Sequence, residues 1–165
     1  MNLKRVKHDL KTSLWCGPAA MSAITGRTTS ECREAIRDAR YGDSGEGRSA
    51  VIKGVRNREV TQALRAMGWS VLLVYDAAAF TMRERPTLAK FLRKRRRTAR
   101  SNALLINVTG HYVAVLRRKF LDNLQTVPVN VKDAHCRRAR VKKAWMVWKT
   151  EAPAGRAHSQ QGATS

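Results

Sequence analysis

The sequence predicts an α+β fold: helices in the first half, then a mostly antiparallel sheet. Three observations carry this. Apolar residues recur at helical spacing through the segments up to residue 67. From residue 103 onward they bunch into short runs bounded by turn residues. Two of those runs are separated by only Arg117-Arg118, the spacing of a β-hairpin. Helices followed by strands is the α+β order. With 165 residues, 43% of them hydrophobic, the chain is long enough to bury a core. Residues 1–150 read as one domain, and residues 151–165 as a small, polar, disordered tail.

The elements follow in order. In SLWCGPAAMSAITG (13–26), Pro18 suits a first helical turn, where its missing N–H costs nothing. Ala19, Ala20, Met21, Ala23 and Ile24 continue that helix and Gly26 closes it. Thr28-x-x-Glu31 is a capping-box pattern opening a second helix, with Cys32, Ala35, Ile36 and Ala39 on one face. Residues 41–54 read as a loop. Asn57 reads as the cap of a third helix carrying Val60, Leu64 and Met67, and Gly68 ends it. WSVLLVY (69–75) reads as a buried strand. Thr87 caps a fourth helix, LAKFLRKRRR, with Leu88, Phe91 and Leu92 inward. The remaining strands are 103–108, 111–116, 119–122, a weaker 126–131, and 140–149.

Charge and cysteine usage narrow the setting. Lys and Arg number 33 against 12 Asp and Glu. Residues 1–84 hold 14 basic and 9 acidic residues, net +5; residues 85–165 hold 19 and 3, net +16. Such a field attracts nucleic acid and other polyanions. Cys16, Cys32 and Cys136 are odd in number and widely spaced, which argues against a disulfide framework and for a reducing compartment. No signal-like apolar run opens the chain, and no stretch approaches the roughly 20 apolar residues of a membrane span. The expectation is a soluble, intracellular product.

The chemistry is suggested by Trp15-Cys16-Gly17-Pro18. A thiol attacks as its thiolate, and a helix N-terminus favours that anion. Gly17 leaves room beside the sulfur, and the Cys16 backbone N–H is free to face an oxyanion. The bland alternative is a small buried residue at a helix start. A cysteine nucleophile needs a base. Of His8, His111, His135 and His158, His111 stands out, because it opens an apolar strand just after Gly110. The base needs an orienting acceptor. The hairpin return brings Asp122 towards His111, a pairing sum near 111 + 122. Asn123 is its near rival and Asp133 a third choice. Asp133, His135 and Cys136 lie together, but no second Cys/His pair stands at ligand spacing, so neither metal nor cofactor is expected.

Cys-Gly-Pro-Ala opening a helix, a distant Gly-His-Tyr-Val-x-Val strand and an acid one hairpin later resemble the papain-like cysteine peptidases. The likeness is closest to the bacteriocin-processing branch that trims double-glycine leaders, and to small papain-like proteins of tailed phages. It covers roughly residues 10–148. The resemblance implies a papain-like fold, helices forming one wall of a cleft and the sheet the other. It implies Cys16 as nucleophile, His111 as general base and acid, and Asp122 as orienting residue, acting on a peptide or protein substrate. One departure stands out. The family places a glutamine before the cysteine as an oxyanion donor, whereas VKHDLKTSLW has none and the nearest glutamine downstream is Gln62. Such a donor is worth about 100–1,000-fold in rate. Lys11, His8, Ser13 and the Cys16 N–H are the available substitutes, and Gly17 and Asn123 also belong to the expected cleft. The expected setting is a bacterial host's cytoplasm or a virion.

Arg93, Lys94, Arg95, Arg96, Arg97 and Arg100 form a basic cluster at a helix end, and residues 136–143 repeat the theme. Part of this is a favourable helix C-terminus; the functional reading is contact with polyanions. No aromatic residues interleave, so stacking-based recognition is not expected. A second function therefore stands beside the first: a basic, catalytically inert papain-like protein that binds nucleic acid non-specifically or is packaged with a phage genome.

Overall fold

The computed structural model describes residues 1–9, 15–42, 54–95 and 101–150. The α-helices given in full among these residues are α1 (Cys16–Thr25), α2 (Thr29–Tyr41), α3 (Asn57–Ala66) and α4 (Leu88–Lys94). Six strands accompany them: β1 (Trp69–Asp76), β2 (Ala103–Val108), β3 (His111–Leu116), β4 (Lys119–Leu121), β5 (Val129–Asn130) and β6 (Val141–Lys149). They form one sheet in the order β1-β6-β2-β3-β4-β5, every pairing antiparallel. The architecture is α+β. The expected tail at 151–165 and most of the expected 41–54 loop lie outside the described residues. No helix among the described residues is long and apolar enough to cross a membrane.

The local signals act as their chemistry requires. Gly26 ends α1 with φ +77, and its N–H bonds the Ser22 carbonyl. Thr28 and Glu31 form the capping box of α2, Thr28 Oγ1 accepting from Glu31 N at 3.2 Å and Glu31 accepting from Thr28 N at 2.7 Å. Thr87 caps α4 by accepting from Lys90 N. Three expectations are corrected. Arg56, not Asn57, is the cap of α3, because Glu59 reaches back to the Arg56 N–H at 2.8 Å and leaves the Asn57 side chain for other partners. α4 stops at Lys94, and Arg95 is already extended. The strand expected at 126–131 shrinks to Val129–Asn130, because Val131–Asp133 coil into a 3-10 turn capped by Asn130. β1 is also less buried than expected: Leu72, Leu73 and Val74 are exposed on this edge strand.

Strand alternation gives the sheet two apolar faces. Ala103, Leu105, Tyr112, Ala114, Leu116, Trp145 and Val147 face a core shared with α1, α2 and α3. Leu104, Ile106, Val108, Val113, Val115, Val141 and Ala144 face a second core with Leu88 and Leu92 of α4. Small residues set the spacing on the first face. Ala19, Ala20 and Ala23 of α1 and Ala114 of β3 are all fully buried, so the helix lies close on the strand that begins with His111. The chain before α1 braces this contact. Lys4 N bonds the Ala23 carbonyl, Lys7 N bonds Ser22 Oγ and Val6 N bonds the Thr126 carbonyl.

This close approach can be tested. Ala114→Leu adds volume where α1 rests on β3, and overpacking of this kind costs about 1–3 kcal/mol. The denaturant midpoint should fall accordingly, while Lys119→Ala on the exposed side of the hairpin should leave it within error. A midpoint unchanged by Ala114→Leu would show that α1 does not bear on this position.

Candidate active site

Cys16 is the first residue of α1, preceded by Trp15 in extended conformation and by no side-chain cap. The N–H groups of this turn lack intrahelical acceptors, and the positive end of the helix dipole lies at the thiol. Gly17 packs against Val55, where a Cβ would meet Val55 Cγ2 at 3.4 Å. The Arg33 guanidinium of α2 lies 4.6 Å from the centre of the Trp15 ring and steadies the approach to the helix.

His111 enters β3 from a two-residue turn in which Thr109 (φ 45) and Gly110 (φ 83) both have positive φ, as a tight hairpin turn demands. His111 Nε2 lies 2.8 Å from Asp122 Oδ2. The Asp122 side chain has no solvent exposure and that of His111 keeps 26%. Asp122 Oδ1 accepts from the N–H groups of Leu124 at 2.9 Å and Gln125 at 2.7 Å. That tight loop consumes one carboxylate oxygen and aims the other at the ring. The register differs from expectation. Ala114 pairs with Leu121, so Asp122 lies diagonal to His111 rather than opposite it. A diagonal neighbour two residues along remains within reach of a ring and a carboxylate.

The charges respond to this arrangement. Burial pushes the Asp122 carboxyl up, but the His111 hydrogen bond, the two backbone donors and the charge of His135 outweigh it and hold it below the ordinary range. His111 is raised to about 9, first by the Asp122 bond and then by a hydrogen bond to Cys16, against the effect of burial. Burial also pushes the Cys16 thiol up. The His111 hydrogen bond, the backbone N–H groups of Tyr112 and Gly17 and the charge of His111 together hold it below the ordinary value. With Nε2 held by Asp122, Nδ1 is the ring nitrogen left for the sulfur. Each partner thus favours the charged form of the other, thiolate beside imidazolium, the state from which a cysteine attacks.

The sequence-derived candidates therefore separate. Cys16, His111 and Asp122 come together. Asn123 follows Asp122 in the loop, but the bond to His111 is made by Asp122. Asp133 is exposed in the 3-10 turn, and His8 lines a groove with Lys4, Arg5 and Lys7. Gln62 lines a groove between α2 and α3. Lys11, Ser13 and His158 lie outside the described residues, as do Arg96, Arg97 and Arg100; Arg93 and Lys94 are exposed on the last turn of α4 and Arg95 ends it.

Two features escaped the sequence reading. His135 Nε2 lies 3.2 Å from the same Asp122 Oδ2, with its ring edge-on to Phe120. Nothing local marks this contact, because the turn after β5 carries His135 back to β4. Tyr112, the next residue after His111, donates its hydroxyl to Asn57 Oδ1 at 2.6 Å, and Asn107 Nδ2 donates to the same oxygen at 3.0 Å. This network ties the start of α3 to β2 and β3 and is the reason Asn57 does not cap its helix. Among the described residues, His111, Asp122 and His135 are the group whose potential metal-ligating atoms lie within 4.8 Å of one another. Their mutual contacts are the ones an oriented histidine makes. Compared with known proteins, the chain matches no family model and no curated protein sequence.

Thiol selectivity follows from these environments. Burial pushes both Cys32 and Cys136 up to about 12. Iodoacetamide at neutral pH, followed by peptide mapping, should modify Cys16 first. Faster labelling of Cys32 or Cys136 in the folded protein would remove Cys16 as the reactive thiol.

Proposed function

We propose that the protein is a papain-like cysteine peptidase or amide hydrolase acting on a peptide or protein substrate through Cys16, His111 and Asp122. The observation that carries this reading is a helix-N-terminal thiol, lowered by a histidine whose other nitrogen is held by a buried carboxylate. The Cys16 thiolate attacks the amide carbonyl carbon, forming a C–S bond and moving charge to the oxygen. The Cys16 backbone N–H, unused within the helix, donates to that oxyanion. The C–N bond then breaks as the His111 imidazolium gives its proton to the leaving amine. Neutral His111 next takes a proton from water, the resulting hydroxide attacks the thioester, and the C–S bond breaks. Thiolate, imidazolium and the carboxylic product remain. Asp122 holds the ring in one tautomer throughout. No glutamine precedes Cys16, so a slow reaction is expected.

The charge distribution favours a second reading, an inert papain-like protein that binds nucleic acid or is packaged with a phage genome. Salt-dependent DNA binding that survives Cys16→Ala, with no thiol reactivity, identifies it. Rapid stoichiometric labelling of Cys16 by a thiol-directed probe identifies the first.

Two outcomes test the first reading. Asp122→Ala should slow amide turnover about 10–100-fold through lost support of the ring, and His111→Ala should abolish it. The pH profile gives a sharper test. Turnover needs His111 protonated, so the alkaline limb should fall near pH 9. Asp122 raises His111, so Asp122→Asn should move that limb to lower pH. A limb unmoved by Asp122→Asn would sever Asp122 from the reaction.

A further inference from the structure

A groove of ≈ 860 Å³ opens where the end of α4, the β3–β4 turn and the turn after β5 meet. Six basic side chains line it: Arg93, Arg95, Arg117, Arg118, Lys132 and Arg137. Among the described residues no acidic one does, and Asp133, next to Lys132, is not part of the lining. The clustering comes from the fold. The sequence marks Arg117 and Arg118 only as a hairpin turn, and Lys132 lies just past the weak strand expected at 126–131. The β3–β4 hairpin carries the first pair beside α4, and the 3-10 turn adds Lys132.

Two of these guanidinium groups are positioned by backbone oxygens. Arg95 Nη2 donates to the Arg117 carbonyl, and Arg137 Nη1 donates to the Lys132 carbonyl at 2.9 Å. Among the described residues, Arg93, Arg117, Arg118, Lys132 and Arg137 form no ion pair with a carboxylate, in contrast to Arg27, Arg37, Arg40 and Lys143. A carbonyl positions a guanidinium without cancelling its charge. Convergent, uncancelled guanidinium groups suit phosphate oxygens, which they bind in bidentate fashion.

We propose that this groove binds the phosphate backbone of nucleic acid, without sequence preference. Among the described residues no aromatic side chain lines it, so they offer bases nothing to stack on. It is separate from the Cys16–His111 pair. Arg117-Arg118 close the β3–β4 hairpin at one end of β3 and His111 opens the other, about 17 Å of strand away. The inference does not depend on the hydrolase reading, because a chain with an inert cysteine presents the same groove.

The test is fluorescence anisotropy of a labelled duplex DNA against salt, using the full chain. The groove variant Arg93→Gln/Arg118→Gln/Lys132→Gln should flatten the plot of log affinity against log salt by about 2–3, since each neutralised phosphate contributes about 0.9. A matched variant, Arg5→Gln/Arg58→Gln/Arg83→Gln, removes the same charge from exposed positions elsewhere and should leave most of the slope in place. The charge-preserving Arg93→Lys/Arg118→Lys/Lys132→Arg should keep the wild-type slope, which separates loss of the site from loss of the fold. Equal flattening by the groove and matched variants would overturn the proposal in favour of diffuse attraction by net charge. Groove-dependent binding to phosphatidylserine vesicles, with duplex binding unaffected, would overturn it in favour of a membrane surface.

Discussion

Asp122 carries its charge where solvent does not reach it, and a buried carboxylate is costly unless its oxygens find donors. Here every donor has a second consequence. The Leu124 and Gln125 N–H groups fold the loop after β4 tightly, which fixes the direction of the remaining oxygen. His111 takes that oxygen, so its ring is held and its proton made harder to lose. The raised histidine in turn lowers Cys16. The thiol, the ring and the loop therefore form one chain of dependence. Removing the carboxylate loosens the loop and the ring together, whereas Asp122→Asn keeps the size and removes the charge.

The geometry also depends on packing that has no chemistry of its own. Cys16 meets His111 because α1 rests directly on β3 through alanines, and because the N-terminal segment is hydrogen-bonded across the end of α1. Large side chains at these positions would open the gap between sulfur and ring. Trp15, held under the Arg33 guanidinium, and Asn57, bonded to Tyr112 and Asn107, fix the start of α1 and the start of α3 on either side of the pair.

Much of this was legible in the sequence wherever a local signal decided the structure. Thr28, Thr87 and Gly26 mark helix ends by chemistry that acts within one turn, and the 103–108 and 111–116 runs leave a buried strand no alternative. Cys16, His111 and Asp122 were readable because a hairpin converts sequence distance into spatial distance. The two-residue error in register shows the limit of that conversion: side chains reach diagonally as well as straight across. Asn57 was misread because a good capping residue has equally good tertiary partners. The contact of His135 with Asp122 and the place of Lys132 beside the basic end of α4 left no mark in the sequence for a shared reason. Each depends on how the segment after β5 folds back, and a short strand running into a 3-10 turn leaves no periodic trace.

The central claim is the coupling between Cys16 and His111, and the alkylation rate of Cys16 against pH measures it most directly. Imidazolium stabilises the neighbouring thiolate, so in the wild type the rate should reach half its plateau below the free-thiol value of about 8.5. In His111→Ala that midpoint should move to higher pH. A midpoint at the free-thiol value in the wild type, or one unchanged by His111→Ala, would mean that the thiol and the ring are not coupled, and the account of this site as a cysteine hydrolase would fail.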